Sequence, residues 1–251
     1  MRLAAPRSAT TVFLTLLSLG ATVPAAAQRH GDGYLFGQPD VTFSIRGGYA
    51  LANARSDLFD QVTSDLTLKK GDFSGFTLGG DIAVHLTSRL SLGLDIGFSR
   101  SNKRSEFRRF VDNKDQPIEQ NTEFQRLPIL ATVKFALVPT GRSLGKLAWI
   151  PSHIVPWVGA GGGYMRYRFH QYGDFIDFQT KNVFPADYST QEWTEAFQGM
   201  AGLDVSLSPR VALTGDARYL WARAPLGRAF SGFDRIDLSG VSATLGLSYR
   251  M

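Results

Sequence analysis

Residues 90–99, LSLGLDIGFS, decide how this chain is built. Leu90, Leu92, Leu94, Ile96 and Phe98 stand on one parity, and Ser91, Gly93, Asp95 and Ser99 on the other. A period of two sends successive side chains to opposite faces, so this is a β-strand with one apolar face and one polar face. The same alternation recurs on both sides of it. Upstream, DVTFSIRGGYAL (40–51) sets Val41, Phe43, Ile45, Tyr49 and Leu51 against Thr42, Ser44, Arg46 and Gly48. SGFTLGGDIAVHL (74–86) sets Phe76, Leu78, Ile82, Val84 and Leu86 against Thr77, Asp81 and His85. Downstream, RLPILATVKFAL (126–137) sets Leu127, Ile129, Val133, Phe135 and Leu137 against Arg126, Thr132 and Lys134.

Three later segments repeat the pattern. AFQGMAGLDVSL (196–207) carries Phe197, Leu203 and Val205 opposite Gln198, Asp204 and Ser206. VALTGDARYLW (211–221) carries Leu213, Tyr219 and Trp221 opposite Thr214, Asp216 and Arg218. GVSATLGLSYRM (240–251) carries Leu245, Leu247, Tyr249 and Met251 opposite Thr244, Ser248 and Arg250. Between them lies VPWVGAGGGYMRYRF (155–169), whose glycines blur the two faces. Here Arg166 and Arg168 mark the polar side, which places Trp157, Met165 and Tyr167 on the apolar side unless a bulge among the glycines switches the facing.

Eight strands are thus expected, and their connections choose the architecture. Thr87-Ser88-Arg89 and Ser208-Pro209-Arg210 are tight turns, whereas 52–72, 101–122, 170–192 and 222–235 are long polar segments. Short and long connections alternate, which is the pattern of a transmembrane barrel with brief periplasmic turns and long external loops. One connection, Val138–Ile154, is longer than a turn; Leu147, Trp149 and Ile150 would fold it against the rim. The fold expected is an all-β, eight-stranded antiparallel transmembrane barrel over 41–251.

The N-terminus supports that setting. Arg2 and Arg7 precede the apolar run VFLTLLSLG, and Ala25 and Ala27 have the spacing of a signal-peptidase site. Residues 1–27 therefore read as a signal peptide, and 28–40 as an N-terminal periplasmic segment. The chain has 251 residues, a formal charge of +5 and no cysteine, which excludes disulfides, thiolate metal sites and a cysteine nucleophile. The basic excess lies in the connections rather than on one compact face, so nucleic acid is not an expected partner. Outward aromatics fall in two bands: Tyr49, Phe76, Phe98, Phe197, Tyr219 and Trp221 near the external ends, and Phe43, Phe135, Trp157 and Tyr249 near the periplasmic ends. Such girdles mark the two edges of a bilayer.

With apolar faces toward lipid, the opposite faces line the lumen. An eight-stranded barrel is only wide enough inside for side chains. The inward charges Arg46, Asp81, Asp95, Arg126, Lys134, Asp204, Asp216 and Arg218, with Arg250, must then pair, because an isolated buried charge is very costly. They are expected to form one salt-bridge network that plugs the lumen; a path for ions or protons is the competing reading.

The mature region from Val41 onward resembles the small outer-membrane barrels grouped with OmpA, OmpX and OmpW. The likeness rests on PWVGAGGGY (156–164) and on the last strand, where Leu245, Leu247 and Tyr249 alternate and Met251 stands where the family has phenylalanine. The resemblance implies that Leu245, Leu247, Tyr249 and Met251 are the signal read by the barrel-assembly machinery. It also implies a monomer in the bacterial outer membrane among lipids and lipopolysaccharide, and no cofactor. Two roles follow: a structural or surface-interaction barrel acting through its external loops, for which SNKRSEFRRFVDNK (101–114) and ARAPLGRAF (222–230) are basic and aromatic, or OmpW-like passage of small hydrophobic molecules. An enzyme would need a nucleophile beside a histidine. Of His30, His85, His153 and His170, only His170 is placed for surface chemistry, and no serine motif accompanies it. Asp174, Asp177 and Asp187 fit no calcium-loop spacing. No catalytic, cofactor or metal residue is therefore expected.

Overall fold

The computed structural model describes residues 37–112, 114–144, 148–177, 179–230 and 232–251. The expected signal peptide and most of the 28–40 segment lie outside them. Eight antiparallel strands close into a ring. They are β1 (Val41–Ala52), β2 (Gly75–His85), β3 (Leu90–Val111), β4 (Pro117–Ala136), β7 (Ile154–Ile176), β8 (Val183–Ser206), β9 (Val211–Ala224) and β11 (Gly240–Arg250). Each pairs with its neighbour in sequence order, and β11 returns to β1, so the ring has no open edge where all eight strands run. A small hairpin, β5 (Gly141–Leu144) and β6 (Ala148–Pro151), and a short strand β10 (Ile236–Asp237) complete the sheet structure.

The apolar parity faces outward on seven strands as the alternation dictates. Ile45, Leu78, Leu94, Val133, Leu213 and Leu245 are all exposed on the outer wall. The exception is β7, where the facing is the reverse of the sequence expectation. Val155, Trp157, Met165, Tyr167 and Phe169 point inward and are buried, while Val158, Tyr164, Arg166 and Arg168 point outward. The register runs unbroken from Ile176↔Val183 to Ile154↔Val205, so no bulge switches the face. The reason lies in height. Arg166 is paired with Trp193, an exposed aromatic beyond the apolar band, so an outward arginine there sits at the interface rather than in hydrocarbon. Trp157 accordingly leaves the aromatic band, and Tyr164 and Trp193 join it.

The strands are unequal. β1, β2, β9 and β11 have 12, 11, 14 and 11 residues, close to what a bilayer needs, whereas β3, β4, β7 and β8 have 22, 20, 23 and 24. Most of the two segments expected as loops at 101–122 and 170–192 is therefore strand. The surplus of roughly ten residues per strand rises on the order of 30 Å beyond the ring as a four-stranded sheet. Backbone pairing explains the change: Ser101–Glu106 remain in register with Glu119–Phe124, so polar side chains cost nothing where both faces leave the membrane.

The first long connection folds inward instead of outward. In DLFDQVTSD, helix α1 (Asp57–Asp65), Leu58, Phe59 and Val62 share one buried face. Phe59 meets Phe73, Phe124 and Phe169 at centroid distances of 4.6, 5.6 and 5.9 Å, mostly edge to face. Phe230, Ile236 and Leu238 of the last connection enter the same cluster. This apolar plug fills the loop end of the barrel. At the turn end the β5–β6 hairpin buries Trp149 beneath Arg250, 5.8 Å from guanidinium carbon to ring centroid, while Ile150 stays exposed; Leu147 is outside the described residues.

Candidate functional site: the filled lumen and the rim groove

The middle of the barrel holds a chain of ion pairs. Asp81 and Asp95 are direct cross-strand partners on β2 and β3, an arrangement that repels unless a cation bridges it. Arg46 of β1 is that bridge: Nη1 donates to Asp81 Oδ1 at 3.2 Å and Nη2 to Asp95 Oδ1 at 2.7 Å. Gly79 makes room for it, since a Cβ there would lie 2.9 Å from Arg46 Nη2. Lys134 Nζ holds Asp81 Oδ2 at 2.9 Å. On the other side Arg218 joins Asp95 Oδ2 (2.6 Å) to Asp216, with Nε at 2.6 Å from Oδ1 and Nη2 at 3.1 Å from Oδ2. The order is Lys134–Asp81–Arg46–Asp95–Arg218–Asp216, in which each carboxylate meets at least one cation.

Three expected members stand apart from that chain. Asp204 accepts the indole N–H of Trp157 at 3.0 Å. Arg250 donates to Ser206 Oγ at 2.9 Å. Arg126 donates to Ser99 Oγ and to the carbonyl of Leu238, and makes no ion pair among the described residues. The single network expected from sequence is thus a six-membered chain with three separate charges. Trp157 could be placed inside only by knowing what Asp204 bonds.

A second feature lies at the loop end. Pairing of β8 with β9 stops at Ala196↔Ala222, although β8 continues to Val183. Thr194 Oγ1 to the Arg223 carbonyl (2.8 Å) and the Gly227 N–H to Thr190 Oγ1 (2.9 Å) stitch the seam above. Beside it opens a groove of about 800 Å³. Tyr164, Trp193, Phe197 and Trp221 line it together with Arg55, Arg223 and Arg235. These three arginines are exposed and make no side-chain ion pair among the described residues. Asp237 and Glu195 also line it, but Asp237 is buried and accepts the N–H of Arg55 and of Ser239. In 101–114, by contrast, the basic side chains hold structure: Arg108 donates to the carbonyls of Leu66 and Leu68, Arg109 pairs with Asp65 at 3.3 Å, and Arg104 pairs with Glu119.

His30 lies outside the described residues, and among the described ones no hydroxyl is bonded to a surface histidine. His170 bonds Asp187 at 2.8 Å, with Glu123 at 4.0 Å, and no hydroxyl bonds its ring. His85 sits in the lumen between Thr42 Oγ1 and Ser91 Oγ, at 2.7 and 2.9 Å, with no carboxylate bonded to either ring nitrogen. Asp174, Asp177 and Asp187 are not brought together, and among the described residues no His/Asp/Glu group is arranged to hold a metal. Asp177 instead caps its own turn, accepting the N–H of Gln179 at 2.8 Å and of Thr180 at 3.3 Å, which holds its carboxyl below the usual range. Leu245, Leu247, Tyr249 and Met251 all lie exposed along the outer face of the closing strand.

The neighbours in structure include OprG from Pseudomonas aeruginosa, at 14% identity over 86% of this chain and 99% of that one, with a TM-score of 0.47. Neisserial surface protein A aligns at 12% over 84% and 96%, TM-score 0.46, and E. coli outer membrane protein W at 14% over 86% and 100%, TM-score 0.38. No curated protein matches the chain. The family model described as the outer membrane protein beta-barrel domain matches residues 13–250, nearly the whole sequence, and the chain belongs to that family.

Proposed function

We propose that this protein is a closed-lumen barrel of the bacterial outer membrane that works by surface contact, engaging anionic glycolipid such as lipopolysaccharide at its external rim. The observation that carries the reading is the double filling of the interior. A layer of ion pairs and a layer of packed phenylalanines lie one above the other, while the four long strands rise past the ring. A plugged barrel has no path for solute, and the material beyond the membrane is where such a chain meets partners. The groove at the β8–β9 seam suits a ligand with an apolar part and a negatively charged head, because aromatic residues and three arginines without a side-chain ion pair among the described residues line it together.

Planar-bilayer recording joined to a lipid-binding assay tests this. The refolded chain should show no steady conductance, and should retain lipid A over phosphatidylethanolamine through detergent washing. Arg223→Gln with Arg235→Gln should weaken that retention without altering the heat-dependent gel shift of the barrel. The same groove supports a second reading, passage of small hydrophobic molecules, since it opens beside the lipid-facing wall. Under that reading, vesicles holding the wild-type chain take up a small apolar solute faster than empty vesicles, and Glu195→Trp, which fills the groove, removes the difference.

A further inference from the structure

Between the ion-paired layer and the apolar plug lies a lumen cavity of about 50 Å³, lined by Arg46, Asp95, Arg126, Gln198, Arg218 and Thr244 among others. Its chemistry is one-sided. Asp95 is already held by Arg46 and Arg218, and Thr244 Oγ1 donates to Asp216 at 2.9 Å. Arg126 is 5% exposed and has five N–H donors, of which one meets Ser99 Oγ and one the Leu238 carbonyl. Its guanidinium lies over Phe124, 5.3 Å from the centroid, and Asp237, whose charge reaches it without a direct bond, accepts the backbone N–H groups of Arg55 and Ser239. Gln198, 6% exposed, has an Nε2 with no acceptor. The cavity therefore gathers N–H donors and a buried cation without an ion pair, and offers no free carboxylate.

We propose that this cavity binds one monovalent inorganic anion, with chloride as the first candidate, between Arg126 and the Gln198 amide. Water would satisfy the donors but leave the guanidinium without a direct counter-ion in a closed interior, where an unpaired charge is costly. The volume is more than the roughly 10–15 Å³ that one water needs, which leaves room for a small inorganic anion. The site is lined by residues of β1, β2, β3, β4, β8, β9 and β11, so an anion captured there ties the two halves of the ring as well as the two layers.

The test uses the full chain refolded in detergent in sodium chloride, bromide or gluconate at one ionic strength. Refolding in each salt is needed because the site is closed on both sides. The thermal midpoint should be higher in chloride than in gluconate by on the order of 3–6 °C once chloride is tenfold above its Kd. Gln198→Glu places a carboxylate in the cavity; it should raise the midpoint in gluconate and remove the chloride increment. Crystals grown in bromide should show an anomalous peak beside Arg126 and Gln198. Absence of that peak overturns the proposal whatever the midpoints show, and means that the cavity holds water only. If Gln198→Glu does not fold, the bromide map of the wild-type chain decides alone.

Discussion

Replacing Asp95 with asparagine probes the barrel's interior most directly. Asp95 is 1% exposed and holds Arg46 at 2.7 Å and Arg218 at 2.6 Å. Asparagine keeps the shape and one acceptor but removes the charge, and its amide would face two guanidinium groups. Breaking a buried pair by removing one partner costs about 3–5 kcal/mol. Both arginines keep another carboxylate, Arg46 at Asp81 and Arg218 at Asp216, which places Asp95→Asn toward the lower end, near ~3 kcal/mol. The chain of six groups also changes from neutral to a single positive charge. Adding Lys134→Met restores neutrality, so the double variant should be less destabilised than the two single losses summed, with a coupling of about 1–3 kcal/mol. Urea titration in lipid vesicles, followed by tryptophan fluorescence and by the gel shift, measures both quantities. A loss below about 1 kcal/mol with strict additivity would mean that water screens these groups as it does at a surface, and the closed-lumen reading would fall.

The other expectations concern facing and the plug. Leu94→Arg should cost about 2–4 kcal/mol in vesicle unfolding, because Leu94 is exposed on the lipid side, whereas Leu94→Ile should be near neutral. A chain keeping Trp157 as its only tryptophan should resist quenching by brominated lipid, while one keeping only Trp221 should be quenched; quenching of both would restore the facing expected from sequence. Phe59→Ala should remove about 3–5 kcal/mol and loosen the loop end, seen as faster amide exchange in 54–73 with the ion-paired layer unchanged. At the β7–β8 tip, the depressed carboxyl of Asp177 stabilises its turn above the ordinary carboxylate pKa and loses that effect as pH falls through the lower folded value. Amide exchange at Gln179 and Thr180 should therefore rise only in strong acid in the wild type, and at neutral pH in Asp177→Ala.

How much of this was legible without coordinates depended on how local the signal is. Alternation is a property of neighbours along a strand, so 90–99 alone reveals an apolar and a polar face, and seven of eight strands could be oriented from it. The even strand number and the two tight turns were readable for the same reason. What faces what across the lumen is not local: that Arg46 bridges Asp81 and Asp95, while Arg126 is left without an ion pair, depends on registers set by three strands at once. The β7 facing is not legible from Arg166 and Arg168, because charge alone does not tell a lumen from an interface; height along the barrel decides, and height is fixed by pairing with Trp193. In DLFDQVTSD the i, i+1, i+4 spacing of Leu58, Phe59 and Val62 was a signal for an inward-packing helix, hidden in a segment polar on average. The strands and their apolar faces are written in the chain itself, because period two acts residue by residue. The layered plug, the tall half of the sheet and the groove at its seam come from the folded molecule, because they depend on contacts and pairings between segments far apart in the chain.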